Sequence, residues 1–306
     1  MGSSGLRVSA VGLGTNQFGG KVDQSGVNDI VDAALGLGIN LVDTADVYQS
    51  GRSEEALGVA LNGRWDRVIL ATKVFGATGD GPNDHGASRY HILAGVEASL
   101  RRLNTDHIDL YQIHRWDEAT PIEETLRALD DLVTAGKVRY VGSSNFAAWQ
   151  LARANTLAEV RGWTPFATIQ NHYHMFERGI EQEVLPYCNA FNVGILPFFP
   201  LAGGFLTGKY RRGEPAPAGS RGESSGYVQR YMTDINYGRV ETMAAWAEAR
   251  NHTMSELAHA RLLSHPQVCS VISGATKVAH VRENAKSAGW QLTGDEAAEV
   301  TKILDS

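Results

Sequence analysis

Four side chains able to carry or move a proton stand at or just beyond the ends of candidate strands: Asp43, Tyr48, Lys73 and His114. Asp43 ends the run Asn40-Leu-Val-Asp43, Tyr48 follows in the next loop, Lys73 ends 68–73, and His114 ends 108–114. Singly, each has an ordinary reading: a turn residue, a packing aromatic, a solvated strand end, a satisfied core histidine. As a set they offer a carboxylate, a phenol, an ammonium and an imidazole, which together can orient and transfer a proton at a reacting oxygen. A strand-end lysine also suits imine formation in a barrel lyase. A neighbouring carboxylate keeps such a lysine protonated, so Asp43 weighs against that chemistry.

The elements that would position these residues alternate along the chain. Apolar runs at 11–15, 40–43, 68–74, 108–114, 138–143, 167–170, 193–198 and 268–273 read as strands. Most are nearly continuously apolar before they end in polar residues, the pattern of parallel strands covered by helices. Between them lie amphipathic segments, one carrying Ile92, Val96, Leu100 and Leu103 on a single face, another Ile122, Leu126, Leu129 and Val133. The second has Thr120 as a candidate N-cap, Pro121 at the first helical position, Glu123 to complete a capping box and Gly136 at its stop. A further capping box runs from Thr293 to Glu296. Eight β–α repeats make a (β/α)8 TIM barrel the economical fold, in a single domain over 1–306, with a short hairpin near Leu6–Val11. Two long Gly-rich stretches, 76–89 and 210–238, are expected as binding loops or lids at the catalytic face.

Composition narrows the partners. Among 306 residues, 43% are apolar and 20% charged, ordinary for a globular chain with a large core. A net charge of −6, without clustered Lys and Arg, argues against a nucleic-acid surface. Cys188 and Cys269 read as structural thiols in a reducing compartment. Residues 1–10 lack the pattern of a secretory signal. The longest apolar stretch, 193–206, is interrupted by Pro197, Pro200, Gly203 and Gly204. A cytoplasmic protein acting on a small molecule is expected, without a membrane partner and without a metal.

The four residues lie within motifs that extend over nearly the whole chain: Gly12-Leu-Gly-Thr15, Asp43-Thr-Ala-Asp-Val-Tyr48, Gln112-Ile-His-Arg-Trp-Asp117, Gly142-Ser-Ser-Asn-Phe146, Pro200-Leu-Ala-Gly-Gly204, Leu206-Thr-Gly-Lys-Tyr210, Gly274-Ala-Thr-Lys277 and Glu283-Asn284. In these the chain resembles the aldo-keto reductase superfamily. It is most similar to the branch holding bacterial aryl-alcohol-dehydrogenase-like reductases and potassium-channel β subunits. The resemblance implies reversible reduction of an aldehyde or ketone to an alcohol. Tyr48 would be the general acid, with Lys73 easing its ionisation, Asp43 holding Lys73 charged, and His114 polarising the carbonyl. The rival it suggests is a nucleotide-binding sensor like the channel subunits. Those typically carry Asn at the position of His114, so an intact set points to turnover.

No Gly-x-Gly-x-x-Gly opens a helix after a strand, so a Rossmann cofactor site is not expected. The resemblance instead implies NADP(H) extended across the barrel top, against Gly14, Thr15, Asn16 and Asp43. Ser144, Asn145 and Gln170 would bond the carboxamide, although Ser144 or Asn145 also suits a helix cap. Phe198 would stack on the nicotinamide. Phe199 replaces a common serine, leaving Pro200, Leu201, Ala202 and Gly203 to approach the pyrophosphate. Lys209 and Arg221 would meet phosphate. Gly274, Thr276, Lys277, His280, Glu283 and Asn284 would hold the adenosine end, with Lys277 on a 2′-phosphate and His280 where relatives have Gln or Arg. Phe18, Phe75 and Trp116 are expected to line the substrate pocket.

Overall fold

The computed structural model describes residues 1–306. Its strands are β1 (Val11–Gly14), β2 (Leu41–Asp43), β3 (Ile69–Val74), β4 (Ile108–Ile113), β5 (Val138–Ser144), β6 (Thr168–Gln170), β7 (Gly194–Ile195) and β8 (Val271–Gly274). All pair in parallel, in the order β7-β6-β5-β4-β3-β2-β1-β8. Parallel bridges from Ile195 to Val268 and from Phe198 to Ile272 join the two outer strands and close the sheet on itself. The (β/α)8 architecture expected from the alternating pattern is therefore present, with every strand except β5 shorter than the apolar run that announced it.

A barrel buries strands on both faces, and two apolar layers result. Leu41, Ala71, Leu110, Leu196 and Ile272 fill the lumen. A larger layer packs the outer strand faces against the surrounding helices, including 89–103, whose Ile92, Val96 and Leu103 are buried, and 122–134, whose Leu126 and Leu129 are buried. The lumen is apolar towards the strand starts and polar at the strand ends, where Asp43, Lys73 and Gln170 are all buried. That polarity places the chemistry at the carboxyl ends of the strands, as in other barrels of this architecture.

Three local expectations are corrected. Residues 1–10 form turn and coil rather than a hairpin. Met1 and Val8 pack on the lumen cluster, and Gly2 lies against the Ala167 carbonyl and the Gly194 amide, so the segment plugs the barrel floor. The N-cap of helix 122–134 is Pro121, not Thr120. The Thr120 hydroxyl is captured by Asp117, which bonds it at 2.8 Å and leaves no cap to close with Glu123. Cys269 is half-buried and lies in the extended segment just before β8, outside the strand expected over 268–273, and Cys188 is buried in helix 184–191; both thiols are free. The Thr293–Glu296 capping box does form, with Thr293 Oγ1 accepting from the Glu296 amide at 3.2 Å.

The long segment 210–238 contains two short helices, Arg221–Ser224 and Gly226–Gln229, and the first turn of a longer one. The Gly222 amide donates to the Tyr210 hydroxyl at 3.0 Å within the segment, and the Tyr227 hydroxyl bonds the His172 ring, which ties it to the loop after β6. Segment 76–89 stays irregular and is pinned to its neighbour by the Ala87 amide, which donates to Asp117 Oδ2 at 2.7 Å. No helix is long and apolar enough to cross a membrane.

Candidate active site

Asp43, Lys73 and Tyr48 converge from β2, β3 and the turn after β2. Lys73 is fully buried, and its ammonium donates to Asp43 Oδ2 at 2.7 Å, to the Thr44 carbonyl at 2.8 Å and towards the Tyr48 hydroxyl at 3.4 Å. Asp43, 3% exposed, is held from its other oxygen by Gln170 Nε2 at 2.8 Å and Gln112 Nε2 at 3.4 Å. A buried ion pair survives desolvation only when its remaining donors and acceptors are met, and here they are. The His114 ring meets Tyr48 edge-on, with centroids 6.1 Å apart.

The electrostatics follow from burial. Burial pushes the Tyr48 phenol above its ordinary pKa, and the opposing pull of Lys73 is the smaller effect, so the hydroxyl keeps its proton. Lys73 does ease the phenol's ionisation, as expected, but in the free site burial is the larger effect. Burial alone would lower Lys73, but Asp43 and Tyr48 outweigh it and hold the ammonium above the usual lysine value. Burial, followed by the charges of Lys73 and Arg115, takes His114 down to about 3, leaving a neutral imidazole at physiological pH.

Beside these residues runs a cleft of about 850 Å³, within the range of small-molecule and cofactor sites. Tyr48, His114 and Asp43 line one end. Gly14, Thr15, Asn16, Ser144, Asn145, Gln170, Phe198, Phe199, Pro200, Leu201, Gly203, Lys209, Arg221, Gly274, Thr276, His280, Glu283 and Asn284 line the rest. Neither Ser144 nor Asn145 caps a helix: helix 148–161 starts from Ala147, whose amide donates to Gln150. Asn145 instead holds a left-handed φ of 58° and donates to the His114 carbonyl and to Ser144 Oγ, both at 3.0 Å, which leaves its own carbonyl oxygen for another partner.

The floor of the cleft is built for a flat ring and an anion. Phe198 is stacked on His172, with centroids 5.3 Å apart and planes 16° from parallel, so one ring face is covered from behind. After it, Phe199, Ala202, Gly203 and Gly204 all have left-handed φ; the Ala202 and Gly204 amides donate to the Phe199 and Leu201 carbonyls, which leaves those of Leu201 and Gly203 as the free donors of an anion-binding nest. Gly204 holds φ at 105°, a backbone conformation that side-chain-bearing residues rarely adopt, with Lys209 Nζ close to where a Cβ would stand. Arg221 lies over the Phe199 ring, 5.2 Å from its centroid, and the adjacent Ser220 hydroxyl is buried without a hydrogen-bond partner. An unpartnered hydroxyl, two cations and a strained nest fit a dinucleotide phosphate.

Several predicted residues stand elsewhere. Phe18 is fully buried in the core and is removed from the substrate pocket. Ala202 is fully buried beneath the nest and does not face the cleft. Lys277 is exposed at the start of helix 278–287 and lies outside the cleft. Phe75 and Trp116 are half-buried on the rim over β3 and β4, beside the cleft rather than in its lining, which leaves the substrate positions expected for them open. Conversely, Gln112 bonds Asp43 and Ser220 faces the cleft, neither of them foreseen. Lys21 and Lys286 also line it, Lys286 paired with Glu256 at 3.1 Å. These come from positions far apart in the chain, and only tertiary packing assembles them.

Fold and site together describe a parallel barrel with a buried ammonium–carboxylate pair beside a long cleft at its catalytic face. The model of the Aldo/keto reductase family matches residues 10–305, and the chain belongs to that family. It is 37% identical over 295 residues to a probable voltage-gated potassium channel subunit beta of Arabidopsis thaliana, covering 94% of this chain and 89% of that one. It is 36% identical over 300 residues to an uncharacterized oxidoreductase of Bacillus subtilis, covering 94% and 89%. It is 34% identical over 322 residues to versiconal hemiacetal acetate reductase of Aspergillus parasiticus, covering 97% and 93%. Family membership makes carbonyl–alcohol redox chemistry with a nicotinamide cofactor the general activity.

One buried acid has no partner. Asp46, 2% exposed, has both carboxylate oxygens without a hydrogen-bond partner. Burial and then the nearby Glu54 raise it to about 7, against smaller opposing pulls from Arg102, the Val47 amide and Lys73. The folded chain thus holds a proton that the unfolded chain releases near pH 4, so this group's contribution to stability is full below about pH 4 and is lost as pH rises to about 7. Asp46→Asn should remove that loss. Its unfolding free energy relative to the parent should climb between about pH 4 and 7, by on the order of 4 kcal/mol at most. Urea titrations at a series of pH values check this, and a difference that stays flat with pH refutes it.

Proposed function

We propose that the chain, as one barrel domain over 1–306, reduces an aldehyde or ketone to an alcohol with NADPH, and that Tyr48 delivers the proton. The observation that carries this reading is the buried Asp43–Lys73–Tyr48 chain ending in a protonated hydroxyl at the edge of the cleft. Bound NADPH would supply hydride to the carbonyl carbon. Ser144, Asn145 and Gln170 would hold its carboxamide, Phe198 its ring, and the 199–204 nest with Lys209 and Arg221 its phosphates.

The chain's own residues then handle the oxygen. The neutral His114 imidazole donates a hydrogen bond that orients and polarises the carbonyl. The Tyr48 hydroxyl gives its proton as negative charge grows on that oxygen. The phenolate left behind is stabilised by the Lys73 ammonium, which Asp43 keeps charged. A high phenol pKa in the free site suits an acid that must arrive protonated, and Lys73 contributes most once the phenolate forms. The same raised Lys73 pKa disfavours a Schiff-base lyase, which needs a neutral amine.

The channel-subunit name of the Arabidopsis relative supports a second reading, a nucleotide sensor without rapid turnover. His114 against Tyr48 favours turnover. Tyr48→Phe should lower kcat at least about a hundredfold while leaving NADPH affinity nearly unchanged, the usual scale for losing a general acid. Retention of parental kcat in stopped-flow oxidation of NADPH by aldehydes would refute Tyr48 as the donor.

Cofactor choice falls to His280, which lines the cleft and is lowered in pKa first by burial, with Lys277 and Lys209 also opposing its protonation. His280→Arg sets a permanent cation there and should tighten NADPH about tenfold, roughly 1.4 kcal/mol, without a matching gain for NADH. Fluorescence titration of both nucleotides reads the ratio, and equal changes for the two remove His280 from 2′-phosphate recognition.

A further inference from the structure

The cleft draws its lining from the ends of β1, β2 and β5 to β8, and it meets the rim over β3 and β4 only at His114. That quarter of the rim has its own lining. Phe75 follows β3, Arg115 and Trp116 follow His114 at the end of β4, and Phe146 and Trp149 follow β5. Trp116 packs edge-on between Phe146 and Trp149, with centroids 5.3 and 5.4 Å away. Trp149 is 59% exposed, although an indole of that size is ordinarily covered.

Arg115 stands on the rim at the end of β4, among arginines of which several are paired. Arg89, Arg139 and Arg153 pair with Asp131, Asp109 and Glu123. Arg115 makes no ion pair. It is exposed and lies over the Phe75 ring, 5.8 Å from its centroid. The nearest acid along the chain, Asp117, is already engaged: it accepts from the Ala87 and Ala119 amides and from the Thr120 hydroxyl. An aromatic rest thus holds an uncompensated guanidinium one residue from His114, in a chain of net charge −6. Its charge is among the causes that keep His114 neutral.

We propose that this rim binds the body of the substrate and selects aromatic carbonyl compounds that bear a carboxylate, with the ring against Trp116 and Trp149 and the carboxylate on Arg115. The proposal rests on the reductase reading and adds a substrate class to it. Arg115 directly follows His114, and its guanidinium rests over Phe75 at the end of β3, so its charge lies on the rim beside the strand ends that carry Lys73 and His114. Arginine meets a carboxylate through two parallel N–H donors, so a rigid para-substituted ring is the matching shape.

The test compares 4-carboxybenzaldehyde with its methyl ester, which has the same ring and reacting group without the charge. With NADPH, kcat/KM for the acid should exceed that for the ester by about tenfold, the scale of one charge-assisted contact. Arg115→Ala should bring the ratio close to one, chiefly through KM of the acid, and Arg115→Glu should invert it, while Arg115→Lys should restore part of the preference. Trp149→Ala should raise KM for both compounds. A parental ratio near one, or a ratio that Arg115→Ala leaves unchanged, overturns the proposal. If neither compound is reduced, the reductase reading fails instead, and quenching of tryptophan fluorescence by terephthalate then decides the rim site alone. Quenching that Arg115→Ala abolishes upholds it, and no quenching removes it.

Discussion

The arrangement depends on keeping one lysine charged where water cannot reach it. Lys73 is fully buried at the end of β3, a place where an isolated ammonium would lose its proton. Asp43, on the paired strand β2, reverses that tendency at 2.7 Å, and Gln170 and Gln112 in turn fix Asp43 from β6 and β4. Four strands are thereby tied to one charge pair in the upper lumen. Because removing a single member would leave an uncompensated buried charge, the pair also constrains the strand register that delivers its members.

From that pair the site divides into two halves with different physics. Burial keeps the Tyr48 hydroxyl protonated and the His114 imidazole neutral, so both stand ready to donate a hydrogen bond. The cleft beyond them works through backbone shape. A run of left-handed residues after β7 presents amides, Phe198 presents a ring face backed by His172, and Arg221 closes over Phe199. The rim over β3 and β4 adds aromatic surface and an unpaired guanidinium.

Much of this was legible in the sequence because barrel strands end their apolar runs at the residues that do chemistry. Lys73 and His114 were visible for that reason, and the eight repeats gave the architecture. What stayed hidden depended on contacts between distant segments. The alternating pattern near Leu6–Val11 resembled a hairpin, yet Met1 and Val8 seal the barrel floor instead. Thr120 looked like an N-cap until Asp117 took its hydroxyl. Phe18 follows a strand end and yet points into the core. Lys277 lies in a matching motif but is exposed and outside the cleft lining, whereas Lys286, later on the same helix, is part of it. The unusual pKa of the Tyr48 phenol could not be read from Lys73 alone, since burial, which no motif records, is the larger effect.

The central claim is that Asp43 holds Lys73 as a buried ammonium. Direct observation of the Lys73 side-chain nitrogen by 15N NMR, in the parent chain and in Asp43→Asn between pH 7 and 10, tests it most closely. The account predicts an ammonium resonance throughout that range in the parent, and loss of the proton within it once the carboxylate is gone. A Lys73 that is already neutral at pH 8 in the parent, or one whose protonation is indifferent to Asp43→Asn, would contradict it.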